Sequence, residues 1–262
     1  MLLLSTFVII VALSSACSRA PENATAVNND PDQILRQMSQ KLGQAKTLSF
    51  KVERKLDAAL VEGRDIAENA LIEISVSRPN KFVAKSDSKD NVRHLYFDGQ
   101  NVSIYDETMK LYATVPVPGS IDEVVAKVDE KYGFTPPLVE FILSDSYGAL
   151  GRHINSKSYN GKESVDGVEC HRVKLGGEVA DSELWIGTAD LLPRRLVAAF
   201  KDREGSPKLE ANFSSWDLAA AHDDKIFAFV APKDAEKIDM VTEAQMKETA
   251  ARAEKEGAAT KQ

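Results

Sequence analysis

Ala70-Leu71-Ile72-Glu73-Ile74-Ser75-Val76-Ser77 alternates without a break. Ala70, Ile72, Ile74 and Val76 fall on one side, and Leu71, Glu73, Ser75 and Ser77 on the other. A period of two is a strand with one buried and one wetted face, the pattern of an antiparallel sheet. The alternation extends in both directions from residue 48 to residue 118. Upstream, Leu48, Phe50 and Val52 alternate with Ser49, Lys51 and Glu53. Downstream, Phe82-Val83-Ala84 follows the turn Arg78-Pro79-Asn80. Residues 93–97 and 102–105 flank Asp98-Gly99-Gln100-Asn101, a hairpin signal. Residues 111–115 end this first series before Pro116 and Pro118.

Helical spacing interrupts the strands twice. Ser120 and Glu123 are placed as a capping box, and Ile121, Val124, Val125 and Val128 share one face. Gly133 stops that helix. Thr135 and Pro136 then open a second, with Leu138, Val139, Phe141, Ile142, Leu143, Tyr147 and Leu150 covering most of its circumference. Strands resume in residues 154–159 and 163–165, with Asn160-Gly161 between them read as a hairpin, and Asp166-Gly167 leads to residues 168–175. Residues 183–186, 195–201 and 208–216 complete the series, with 227–230 as a final short strand or extended edge. Ahead of the first strand, Asp30, Pro31 and Gln33 start an amphipathic helix whose stripe is Ile34, Leu35, Met38, Leu42 and Ala45. Short strands with tight turns, interrupted by helices, imply an α+β chain built on an antiparallel meander.

The ends read differently. Residues 2–13 are apolar apart from Ser5 and Thr6, and Ser14-Ser15-Ala16-Cys17 follows. Such a run is too short to span a bilayer, which takes about 20 apolar residues, and has the form of an export signal. The cysteine after it resembles a bacterial lipoprotein signal. That resemblance implies cleavage before Cys17, its lipidation, and sorting to the outer membrane, because Ser18 rather than Asp follows. Ser14 stands where such signals usually carry leucine, and no Lys or Arg precedes the run. The alternative is an ordinary cleaved signal with Cys17 near the cut. Residues 1–16 are therefore expected as signal, 17–29 as anchor and tether, 30–240 as the folded domain, and 241–262 as a charged Ala/Lys/Glu tail, frayed or helical.

The chain has 33 Lys and Arg against 40 Asp and Glu, a formal net charge of -7. An acidic surface repels phosphate backbones and argues against a nucleic-acid partner. With Cys17 acylated, Cys170 has no intrachain partner. Cys170 and His171 are neighbours in a strand, so their side chains point to opposite faces and form no thiolate–imidazole pair. The histidines His94, His153, His171 and His222 lack metal-ligand spacing. No nucleophile elbow or phosphate loop is present, and Ser86-Asp87-Ser88-Lys89 lacks the companion motifs of a Ser-x-x-Lys enzyme. No enzyme activity, metal or cofactor is expected. Trp185 faces opposite to Leu184 and Ile186, where it either marks a cavity mouth or packs under the first helix. Arg194, Arg195 and Lys201 are read as a solvated rim, with a lipid headgroup or partner carboxylate as the alternative.

The order of elements, with certain turn and aromatic residues, resembles the LolA-like superfamily of outer-membrane lipoprotein carriers. More closely it resembles a family of predicted periplasmic proteins without assigned activity. The residues carrying the match are Arg78-Pro79-Asn80-Lys81, Tyr96-Phe97-Asp98-Gly99, Tyr105-Asp106 and Tyr112-Ala113. They continue with Pro118-Gly119-Ser120-Ile121-Asp122-Glu123, Tyr132-Gly133, Pro137-Leu138, Ser144-Asp145 and Tyr147. The last are Val165-Asp166-Gly167-Val168, Cys170-His171, Leu184-Trp185-Ile186, Leu192-Pro193-Arg194 and Trp216-Asp217-Leu218. The resemblance implies an α+β fold, one curved antiparallel sheet of about 10–11 strands forming an unclosed half-barrel that covers the N-terminal helix and two central helices, on the periplasmic side of a bacterial envelope. A gap between sheet and helices would take an acyl chain, from a lipid or a lipoprotein. Its candidate lining is Phe50, Val52, Ile72, Ile74, Phe82, Leu95 and Phe97 from the sheet, Leu138, Phe141 and Ile142 from the helices, and Trp185. A sensor or scaffold that binds another envelope protein is the alternative, and predicts a packed interior instead.

Overall fold

The computed structural model describes residues 29–62, 66–242 and 244–245. Cys17, the signal, nearly all of the tether and most of the tail lie outside the described residues. The rest is a single open sheet. Its strands are β1 (Thr47–Leu56), β2 (Asn69–Ser77), β3 (Lys81–Asp87), β4 (Val92–Phe97), β5 (Asn101–Asp106) and β6 (Leu111–Pro116). They continue as β7 (Ile154–Val165), β8 (Val168–Gly177), β9 (Ala180–Gly187), β10 (Pro193–Phe200), β11 (Lys208–Asp217) and β12 (Glu236–Lys237). The helices are α1 (Pro31–Gln44), α2 (Ala58–Val61), α3 (Ile121–Tyr132) and α4 (Ser146–Gly151).

The order across the sheet is β12-β6-β5-β4-β3-β2-β1-β11-β10-β9-β8-β7. Two meanders therefore meet where β1 pairs antiparallel with β11, and β7 and β12 are left as edges. Every pairing is antiparallel except that of β12, which runs parallel to β6. The hairpin at Asp98 and the tight turn at Asp166-Gly167 form as their sequences demand, with φ of 94° at Gly99 and of 49° and 79° at the latter pair.

Three local readings change. Asn160-Gly161 makes no hairpin. β7 runs through it with a shift of register between Tyr159 and Lys162, and Gly161 has φ 83°. That is a bulge, which uses the same left-handed residue as a turn but returns the chain to the same partner. The second central helix is broken. Consecutive prolines and Leu138 at φ 66° give only a 3-10 turn, Val139–Phe141, before Asp145 caps the short α4 through Gly148 N at 2.9 Å. Residues 227–230 form no strand: Phe227 ends a 3-10 turn, Asp224–Phe227, and the chain leaves it in extended conformation at Ala228.

α1 and α3 hold as read. Asp30 accepts from Asp32 N at 3.0 Å, and Ser120 and Glu123 form the reciprocal capping box, with Gly133 as a left-handed C-cap at φ 60°. α1 packs against α4 and β7 and buries Ile34, Leu35, Met38 and Leu42. Its first turn is clamped by Asp32, which accepts from Tyr147 Oη at 2.5 Å and Lys157 Nζ at 2.7 Å. Lys157, Tyr147 and Arg36 hold the Asp32 carboxyl far below the usual carboxylate range. The α1 end of the concave face is thus filled. Phe50, Phe213, Trp216 and Phe141 close the seam between the meanders, with Phe50 stacked on Trp216 at 4.2 Å and Phe141 edge-on to Phe213 at 4.8 Å.

Candidate functional site

Across β1 to β5 the inward residues form transverse rows. Leu48 opposes Val76, which opposes Phe82, then Phe97 and Val102. The next row is Phe50, Ile74, Ala84, Leu95 and Ile104, and the next Val52, Ile72, Ser86 and Arg93. Arg54 takes the following inward place on β1, opposite Ala70. The face therefore grades from aromatic to polar along the strands. From Leu48 to Arg54 this gradient covers about 20 Å at roughly 3.3 Å per residue.

Segment 134–143 crosses over these rows as a lid. One end hangs from the α3 C-cap. The other is fixed at Ser144, whose N and Oγ donate to Asp122 Oδ1 at 3.1 and 2.8 Å, and at Leu143, whose carbonyl accepts from Arg78 Nη2 at 3.2 Å. Gly43 at the end of α1 lets Ser144 approach, since a Cβ there would lie 2.3 Å from its carbonyl oxygen. Between lid and rows the side chains leave a cavity of about 540 Å³. That is in the range of small-molecule sites, roughly 300–1,000 Å³. Its walls are mostly apolar: Ile72, Ile74, Phe82, Ala84, Leu95 and Ile104 below, and Phe134, Pro136, Leu138, Val139 and Ile142 above. Arg54, Ser86, Ser88, Asn91 and Arg93 make one end polar, and Asp90 stands exposed at that rim.

Of the residues picked from sequence, Ile72, Ile74, Phe82, Leu95, Leu138 and Ile142 meet in this lining. Phe50, Val52, Phe97 and Phe141 are buried in the packed core beside it. Trp185 is in neither of the places considered for it. It lies on the opposite face of the sheet, its ring between Arg172 and Arg195 at 5.2 and 5.3 Å and its Nε1 donating to Glu163 at 3.0 Å. Its register partners Arg172 and Arg195 put it there, because Val173, Leu184 and Leu196 take the core side. Arg194, Arg195 and Lys201 are each paired with a carboxylate, of Asp190, Glu210 and Asp181.

Arg54 was missed, although its signal is plain: it occupies an apolar phase in Leu48, Phe50, Val52, Arg54, Leu56. It is 7% exposed, and Nη2 donates to Ala67 O at 2.8 Å. Nε is buried without a partner. Burial pushes its pKa down. Elsewhere, Cys170 Sγ donates to Val168 O at 3.3 Å and burial pushes its thiol up, while burial pushes His171 down. The two lie on opposite faces of β8. Among the described residues no cluster of His, Cys, Asp or Glu is arranged to hold a metal ion.

The model of the family DUF2092, predicted periplasmic proteins, matches residues 31–241. The chain belongs to that family. No curated protein matches it. Among solved structures the chain is similar to MucB, with 12% identity and a TM-score of 0.47 over 78% of this chain and 64% of that one. The chain thus spans a little under two thirds of MucB. It is also similar to the lipoprotein LppX of Mycobacterium tuberculosis (13% identity, TM-score 0.45, 73% of this chain and 97% of that one). A third is a LolA superfamily protein of Nitrosomonas europaea (9% identity, TM-score 0.35, 76% and 98%).

Proposed function

We propose that the protein binds an acyl chain, of a lipid or of a lipoprotein, in the cavity between β1–β5 and the lid, without catalysis. One observation carries this reading: about 540 Å³ that the apolar side chains around it do not fill. Protein interiors are otherwise close-packed, so a space of this size is a feature to be explained. Each methylene moved there from water contributes about 0.8 kcal/mol. A dozen contribute roughly 10 kcal/mol, which offsets an association cost of about 4–15 kcal/mol once the polar end adds its share. Ser88 Oγ in the lining donates to Asn91 O at 2.7 Å rather than to a histidine, so this hydroxyl is not set up as a nucleophile.

The working cycle is lid opening, entry of the chain, and release at a membrane. We further propose that Cys17 is acylated and tethers the domain to the periplasmic side of the outer membrane, which suits a receptor better than a shuttle. Cys17→Ser should then abolish incorporation of labelled palmitate and free the protein from membranes; persistent labelling would refute the anchor.

Gentle purification of the protein followed by native mass spectrometry and lipid extraction tests the binding reading. Stoichiometric lipid, or a mass shift with added lipid, supports it. A bare mass unchanged by any lipid would leave the second reading, a scaffold for another envelope protein.

A further inference from the structure

We propose that the cavity selects an amphiphile with an anionic headgroup, whose carboxylate or phosphate oxygens accept hydrogen bonds from Arg54 while the tail runs toward Phe82. This rests on the acyl-binding reading and names the class of ligand. Arg54 is buried at the polar end of the gradient, and among the described residues its one hydrogen-bond partner is Ala67 O. No carboxylate among the described residues lies within ion-pair distance of it. A guanidinium stays protonated, and a buried charge without a counter-charge is costly unless something supplies one. The other cavity arginine differs: Arg93 Nε is 3.0 Å from Asp106 Oδ2. Arg78, away from the cavity, reaches the carbonyls of Leu42 and Leu143 and feels the charge of Asp122.

The surroundings of Arg54 point the same way. Its Nε is an unpaired donor, planar with the rest of a fork that matches a two-oxygen anion. Ser86 lines the floor one row in. Among the described residues Asp90 is the one acid in the lining; it is exposed, and a hydrated charge at the rim repels a buried anion only weakly. A neutral acyl glyceride brings Arg54 no counter-charge. An anion seated there satisfies it and places its tail on the apolar rows.

The test uses the full chain, freed of lipid, titrated calorimetrically with oleate, lysophosphatidate and neutral monoolein. The wild type should bind both anions at least tenfold more tightly than monoolein. Arg54→Met should lose that preference while still binding monoolein, and Arg54→Lys should retain part of it. Inorganic phosphate alone should bind far more weakly than lysophosphatidate; equal binding would overturn the amphiphile in favour of a simple anion site. Equal affinity of the wild type for oleate and monoolein would overturn the headgroup selection and leave the acyl-chain reading intact. No binding of any of the three would overturn both. The wild-type comparison stands even if Arg54→Met fails to fold.

Discussion

Glu140 sits in the 3-10 turn of the lid, half-buried, and burial pushes its carboxyl above the usual range, with Arg152 pulling weakly the other way. The folded protein therefore holds this proton to higher pH than the unfolded chain does. Between those two pKa values stability falls as pH rises, and the contribution is fully present only below the unfolded value. Glu140→Gln should melt higher than wild type near neutrality, and the two should converge as pH falls into the ordinary carboxylate range. Thermal melts across that interval check it; a gap independent of pH would contradict the burial argument. Phe141, fully buried against Phe213, is a core residue, and Phe141→Ala should cost about 3–5 kcal/mol in a urea titration. At this scale the sequence was most informative where phase could be counted. Arg54 stands in an apolar phase that was legible two residues beyond Val52. The place of Trp185 depends on which neighbours fill the other side of β9, and a single strand does not contain that information.

The lid is the element that periodicity misassigned. Its residues are apolar over most of the circumference, Glu140 apart, which fits a buried helix equally well. Pro136 and Pro137 are compatible with a first helical turn, but Leu138 at φ 66° leaves the helical region immediately after them. What replaces the helix is a strap fixed at its ends. Asp122→Ala removes the bonds from Ser144 N and Oγ and should cost about 1–2 kcal/mol. Amide exchange should quicken in residues 138–144 and not in β8; a uniform change over the chain would contradict local anchoring of the lid. The bulge at Gly161 makes a second test. No atom lies within 4 Å of a Cβ built there, so only the backbone resists a side chain. Gly161→Val should therefore cost about 1–2 kcal/mol through φ 83° alone. A bulge also twists the exposed edge β7 and so discourages pairing between copies. Asn-Gly signals a left-handed pair, and only the register of β8 decides between turn and bulge.

The whole molecule is filled unevenly. α1, α4 and the ring stack at the β1–β11 seam pack one part of the concave face, while the lid spans the rows of β1 to β5 with space beneath it. Most strands were legible, because each carries its own alternation; the pairing of β1 with β11 that joins the two meanders was not, since alternation within a strand does not name its partner. Which part of the face is packed was not legible either, since it depends on how far the lid stands from Ala84 and Ile74. Ala84 lines the cavity and Val83 points to the other face of β3. The direct test is oleate binding by Ala84→Trp and Val83→Trp, each with its fold checked by circular dichroism. The account predicts that an indole at 84 fills the space and abolishes binding while one at 83 leaves it unchanged. Undiminished binding by a folded Ala84→Trp protein would contradict it.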